Sequence, residues 1–154
     1  MSFTGEYKKK VKTPAEAAKM INSGDAIECA QFNGRPVAFE QALAARHEEL
    51  RDVGIFFSVS LPPLAETCKY PESFIFHDWH WSKLTRMIQC IPGTKPFYNP
   101  VVYRYTTNWM RDIPTRDFNV RSFYYNEPDK ARDTKHVFVI RTGPMNPQGY
   151  FNYG

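Results

Sequence analysis

Apolar and polar positions along the chain fall into short segments that alternate between a helical and an extended pattern. Thr13-Pro14-Ala15-Glu16 has capping-box spacing with proline at the first helical position. It predicts a helix that runs to about Asn22 and stops at Gly24, with Ala18, Met20 and Ile21 on its inner face. Ala26 to Ala30 reads as a short strand. Gln31-Phe32-Asn33-Gly34-Arg35-Pro36 reads as a turn with Asn-Gly as its tightest element. Pro36 can open the next helix, expected over residues 37–51, where Val37, Leu43, Ala44 and Leu50 are spaced by polar residues. Val53 to Ser60 is a β-prone run. A break at Leu61-Pro62-Pro63-Leu64 precedes a strand over Ser73–His77 and a helix over Ser82–Cys90, ended by Pro92-Gly93. A weak strand at Val101–Tyr103 and a helix over Arg104–Arg111 follow. Ile113 to Lys135 reads as a long surface excursion. Val137-Phe138-Val139-Ile140 then reads as a buried strand, followed by a turn-rich, aromatic loop.

Helices alternating with strands predict an α/β fold, an open, mainly parallel sheet flanked by helices and joined by right-handed crossovers. In such sheets ligands sit in the loops that leave the carboxyl ends of strands. That rule selects the candidate binding residues. Gln31, Asn33 and Gly34 follow one strand and precede a helix, so backbone N–H groups can face a ligand there. Ser58 and Ser60 close the next strand. Gly149, Tyr150, Phe151 and Asn152 lie in the loop after the last strand, where glycine permits close approach and aromatics can wall a narrow pocket. The competing reading of that last loop is a turn whose aromatics fill the core.

Composition narrows the picture modestly. The chain has 154 residues, 42% of them hydrophobic and 16% aromatic, enough for one domain with a core. Its net charge of +4 suits a phosphate-bearing ligand without requiring one. Cys29, Cys68 and Cys90 have no C-x-x-C spacing and read as reduced thiols of a cytoplasmic protein. The basic start at Lys8-Lys9-Lys10 has no apolar run behind it, so it is not a signal peptide, and no segment is long and apolar enough to cross a bilayer. His77-Asp78-Trp79-His80-Trp81 invites a metal reading, but a third ligand lacks any pattern. The favoured reading is a Trp-anchored packing turn with partly exposed histidines, and no metal is expected. Basic residues interleaved with Phe118, Phe123, Tyr124 and Tyr125 offer a single-strand nucleic-acid reading, which ranks below an enzyme because no nucleic-acid fold pattern accompanies it. Neither a P-loop nor a G-x-G-x-x-G or G-x-S-x-G motif is present.

Several of these landmarks, in this order, resemble the N-terminal part of family I CoA-transferases, the group of butyryl-CoA:acetate CoA-transferases, 4-hydroxybutyrate CoA-transferases and acetyl-CoA hydrolases. The matching pieces are Tyr7-Lys8-Lys9-Lys10, Thr13 to Ala17, Ser23-Gly24-Asp25, Asn33 with Pro36-Val37-Ala38, Leu43 to Arg46, Phe97-Tyr98-Asn99-Pro100 and Gly149 to Gly154, with Trp79-His80 in a similar context. The resemblance implies coenzyme A as a substrate with no separate cofactor, an acyl-CoA and a short carboxylate as partners, and transfer through a glutamyl-CoA thioester. It implies that the nucleophilic glutamate lies beyond Gly154, so that no catalytic residue is expected in this chain. It implies that residues 1–154 are the N-terminal portion of a first domain, completed by another polypeptide segment, with a sheet edge and an apolar face left uncovered without it. A homo-oligomer without nucleic acid or membrane is expected. Residues 113–135 read as a surface insertion relative to that family. Hydrolase activity, or a non-catalytic fragment that only binds or assembles, are the alternatives.

Overall fold

A computed structural model describes residues 3–58, 65–94, 96–98, 100, 104 and 135–153. The strand at Val101–Tyr103, nearly all of the helix at 104–111, residues 113–134 and Ser60 lie outside the described residues.

The chain opens with helix α1 (Phe3–Lys10) and α2 (Pro14–Ala18). Strand β1 (Ala26–Cys29), α3 (Val37–Ala44), β2 (Val53–Phe57), β3 (Phe74–Asp78), α4 (Lys83–Gln89), β4 (Phe97–Tyr98) and β5 (His136–Val139) follow. The strands form one sheet in the order β4-β3-β2-β1-β5, and every pairing is parallel. Neighbouring strands from β1 to β4 are consecutive in sequence, as right-handed crossovers running in one direction require. The connections therefore stack on one face. There Ile27, Cys29, Val53, Ile55, Phe57, Phe74 and Phe76 meet Ala18, Ile21, Leu43, Leu50, Cys68 and Ile88 in the core.

Local chemistry explains the helix ends. Thr13 accepts from the Glu16 N–H, and the Glu16 carboxylate accepts from the Thr13 N–H at 2.7 Å, a complete capping box. Ser82 and Thr85 make the equivalent box on α4, and Thr85 is buried. The helix expected to reach Asn22 stops at Ala18 and goes on as turns, with the Met20 N–H on Ala17 O and the Ile21 N–H on Ala18 O, and the Arg46 guanidinium donates to Ala18 O and, at 2.9 Å, to Ile21 O. The helix expected over 37–51 likewise stops at Ala44 and continues as turns whose N–H groups reach back three residues, as His47 does to Ala44.

Two further expectations change. The apolar run Val137–Ile140 predicts a buried strand. β5 instead lies at an edge of the described sheet with only one face covered, so Val137 and Val139 pack on the core while Phe138 remains 60% exposed. α1 answers to no sequence expectation. None of its residues is buried, and it is held by Phe3 and Tyr7.

The opposite sheet face carries an in-register row. Phe138, Glu28, Phe56, His77 and Phe97 lie side by side on β5, β1, β2, β3 and β4. His77 stacks on Phe56 at 4.2 Å between ring centroids and on Phe97 at 5.4 Å. Burial lowers its pKa to about 4, so the imidazole is neutral at pH 7. The expected pair of partly exposed histidines is thus one buried strand residue, His77, and one exposed residue after the strand, His80. Trp79 is buried between them.

Candidate functional site

Parallel strands deliver all their following loops to one edge of the sheet. From β3 to β5 that edge carries His80, Ser58, the 31–36 turn and Arg141. Each position is set by local bonding.

The 31–36 turn contains a 3-10 segment, Phe32–Gly34, closed by the Gly34 N–H on Gln31 O at 2.9 Å. Its left-handed residue is Phe32, with φ of 49°, and not the Asn33-Gly34 pair. A phenylalanine in that region costs about 1–2 kcal/mol relative to glycine. Gly34 is closely packed: a Cβ there would sit 3.0 Å from Ala30 Cβ and 3.6 Å from Ile140 Cγ1, so a side chain would have to push Ala30 aside by a few tenths of an ångström. Its carbonyl accepts from the Arg141 N–H at 2.8 Å, which joins the first candidate loop to the start of the last one. Gln31 is half-buried and Asn33 exposed.

Asn33, Arg141, Thr142, Gly143 and Tyr153 line an open concavity of about 330 Å³. A second, larger concavity of about 560 Å³ lies on the other side of Arg141, between Lys12, Pro14, Arg35, Pro36 and Phe39. Arg35 is buried and held by Glu40. Its Nε donates to Glu40 Oε2 at 2.8 Å, with a second guanidinium nitrogen 2.7 Å from the same oxygen. The guanidinium carbon stands 5.8 Å from the Phe57 ring centroid. Burial pushes the Glu40 carboxyl up, and the Arg35 charge opposes that rise. Glu40 Oε1 is buried with no hydrogen-bond partner among the described residues.

Gly149, Tyr150, Phe151 and Asn152 form a self-bonded loop. The Asn146 N–H donates to Tyr150 O at 2.9 Å, its side-chain oxygen accepts from the Gln148 and Tyr150 N–H groups, and the Gly143 N–H donates to Asn152 O at 2.7 Å. Gly149 has φ of 86°, and a Cβ on it would lie 2.9 Å from Phe3 Cγ. The close approach that this glycine allows is to α1. Phe151 packs against Tyr7 at 5.7 Å, whereas Tyr150 is 72% exposed. The structure therefore brings Asn33 and Gly34 together with the stem of the last loop, and turns Gly149 and Phe151 toward α1.

Sequence reasoning passes over Arg141 and Tyr153 at this edge and does not pair Ser58, which it selects, with His80. Arg141 and Tyr153 flank the loop residues it selects. Ser58 Oγ lies 3.3 Å from His80 Nδ1, and the loop carrying His80 is held by Asp78, whose carboxylate accepts from the His80 N–H at 3.0 Å and from the Thr85 hydroxyl. The only signal in the sequence is position, since each follows the carboxyl end of a strand. Cys29 and Cys68 are buried in the core. Burial raises both thiols, that of Cys68 to about 12, and neither is a nucleophile at neutral pH. Among the described residues no three His, Cys, Asp or Glu side chains converge as metal ligands, and no helix is long and apolar enough to cross a membrane.

The arrangement agrees with known proteins at two levels. The fold matches the crystal structure of RipA from Yersinia pestis with a TM-score of 0.72 at 20% identity, over 100% of this chain and 34% of that one. In sequence, the chain is 31% identical over 156 residues to the butyryl-CoA:acetate CoA-transferase of Anaerostipes caccae. It is 44% identical over 152 residues to the succinyl-CoA:cyclohexane-1-carboxylate CoA transferase of Geobacter metallireducens. It spans 30% of the length of each of these two relatives. The acetyl-CoA hydrolase/transferase N-terminal domain matches residues 1–154, and the chain belongs to that family.

Proposed function

We propose that this chain forms the N-terminal part of a CoA-transferase that moves coenzyme A between a short-chain acyl-CoA and a small carboxylate, such as butyryl-CoA and acetate. The observation that carries the reading is the family match over residues 1–154. In this reading a glutamate on sequence beyond residue 154 attacks the thioester carbonyl and expels the CoA thiolate, leaving a mixed anhydride. The thiolate then attacks the glutamyl carbonyl, which releases the donor acid and leaves a glutamyl-CoA thioester. An incoming carboxylate reverses the two steps, so one carboxylate enters for each one released.

The role of this chain is to shape one wall of the acyl pocket. Gln31, Asn33 and Gly34 line the carboxyl edge of β1, and Tyr150 and Asn152 stand on the neighbouring loop. Gly149 and Phe151 set that loop's position through α1. Ser60 joins the lining residues on its strand-end position alone. The test is CoA exchange by the full-length protein with butyryl-CoA and acetate. Formation of acetyl-CoA in step with butyrate supports transfer. Release of free CoA at the same rate with and without acetate would favour the hydrolase, and no reaction with either would remove both readings.

A further inference from the structure

His80 is exposed at the carboxyl edge of the sheet, yet it is held from two sides. Its backbone N–H donates to Asp78 Oδ1 at 3.0 Å, and the other Asp78 oxygen accepts from the Thr85 hydroxyl in the α4 capping box, which anchors the loop. Its ring is tied at Nδ1 to Ser58 Oγ, 3.3 Å away, just past the end of β2. Asp78, Thr85 and Ser58 are all buried. Buried polar groups that order one exposed ring make the support of a preorganised functional group.

The bond to Ser58 sets which nitrogen carries the proton. Ser58 is 6% exposed, and His80 Nδ1 is the only side-chain partner of its hydroxyl among the described residues. A buried hydroxyl without an acceptor is costly, so the Ser58 O–H donates to Nδ1, and in the neutral ring the proton sits on Nε2. A general-base histidine instead donates from its second nitrogen to a carboxylate. Among the described residues no carboxylate pairs with this ring, and Nε2 makes no hydrogen bond. The edge therefore presents an oriented N–H donor.

CoA transfer has a use for such a donor and none for a base. A carboxylate attacks and a thiolate leaves, and neither brings a proton to be moved. What develops is negative charge on the thioester carbonyl oxygen, and a fixed donor aimed at that oxygen lowers the barrier. The sheet puts His80 within reach. Its ring leans onto the end of β2, one strand spacing, about 5 Å, from β1, whose following turn carries Gln31 and Asn33. An acyl chain of a few carbons lying from that turn across β2 brings its carbonyl to the imidazole.

We infer that His80 is a catalytic residue of the transfer reaction, its Nε2–H donating to the thioester carbonyl oxygen as the glutamate attacks, with Ser58 the positioning residue that sets its tautomer. The inference rests on the CoA-transfer reading. As the glutamate oxygen bonds to the carbonyl carbon, the carbonyl π pair moves onto oxygen and is held there by Nε2–H. Its return breaks the carbon–sulfur bond and expels the CoA thiolate, and the imidazole proton stays on Nε2 throughout.

The test uses the full-length protein with nitrogen-15 in its histidines. The His80 ring, assigned by its loss in His80→Gln, should show a protonated Nε2 and a bare Nδ1 at pH 8, and Ser58→Ala should mix the two tautomers. In CoA exchange between butyryl-CoA and acetate, His80→Ala should lower kcat about 100-fold and change KM less than about threefold. His80→Gln, whose amide nitrogen can take the place of Nε2, should recover at least tenfold of that loss. A proton on Nδ1, or a His80→Ala kcat within about threefold of the parent's, overturns the inference and leaves the CoA-transfer reading standing. Absence of exchange by the parent protein overturns both. The tautomer is read on the unaltered ring, and coincident thermal unfolding of the variants separates lost chemistry from lost fold.

Discussion

Removing either partner of the buried Arg35–Glu40 pair should destabilise the protein far more than removing both. The two charges lie 2.7 Å apart with side chains 8% and 3% exposed. At an effective dielectric near 20, their attraction at that distance is about 6 kcal/mol. Withdrawing each charge from water costs several kcal/mol, so the pair as a whole contributes little. Arg35→Met leaves Glu40 buried, charged and with both oxygens unpaired among the described residues. Glu40→Gln withdraws the carboxylate charge that faces the buried guanidinium. Each single change should cost about 3–5 kcal/mol at pH 7, and the double change Arg35→Met/Glu40→Leu about 0–2 kcal/mol. Urea unfolding of the full-length protein and its three variants measures the cycle. The pH dependence is a second arm. Burial already holds the Glu40 carboxyl above its usual 4.5, and loss of Arg35 removes what opposes that rise. A carboxyl raised in the folded state stabilises below its unfolded pKa and loses that contribution as pH rises through the folded value. The Arg35→Met deficit should therefore be largest at pH 7 and shrink toward pH 4. Additive single costs, or a deficit that grows in acid, would refute the reasoning.

Three other outcomes are expected. His77, with its pKa lowered from 6.5 to about 4 by burial, stabilises fully above 6.5 and loses about 3 kcal/mol as pH falls toward 4. His77→Phe should flatten that acid limb, and an unchanged slope argues against it. Thiol labelling at pH 7.5 should modify exposed Cys90 quickly, with Cys29 and Cys68 reacting only on unfolding. Gly149→Ala should cost about 1–2 kcal/mol for its left-handed backbone, plus a steric part against the Phe3 ring. Phe3→Ala should recover only the steric part, and hydrogen exchange in α1 reports the loss of docking.

Signals that act within a few residues are legible in the sequence. The box at Thr13–Glu16 marks a helix start, and Val53–Phe57 is extended because its β-branched and aromatic residues suit a buried central strand. Family membership is also legible, because the matching pieces keep their order over the whole chain. What escapes depends on partners far apart in sequence. α1 is mostly polar, with three lysines in its last turn, and carries no apolar stripe to announce it. It forms because Phe3 and Tyr7 find Gly149 and Phe151 at the far end of the chain. The carbonyls at and after the end of α2 are met by Arg46, which comes from beyond α3. Val137–Val139 shows the limit of an apolar run: so short a stretch does not reveal whether one face or two will be covered. At the candidate site the turn at 31–36 is found by its place after a strand. Its left-handed residue is Phe32 where the pattern points to Asn-Gly, and Arg141 goes unnoticed because a lone arginine after a strand has no local pattern.

The pairing of β5 with β1 has a consequence for how the molecule is made. β1 to β4 can assemble in the order in which they leave the ribosome, each beside its predecessor. β5 must return to the first strand, and the bond from the Lys135 N–H to Asp25 Oδ1 closes a separation of 110 residues. At about 5–20 residues per second, the outer edge of β1 waits roughly 5–20 s in the nascent chain before its second neighbour exists. During that interval it is an open parallel edge, able to pair with a strand from another chain. Chaperone demand should therefore fall on this early half-sheet, and variants that weaken the Asp25–Lys135 clasp should lower the yield of soluble protein more than they lower the stability of what folds.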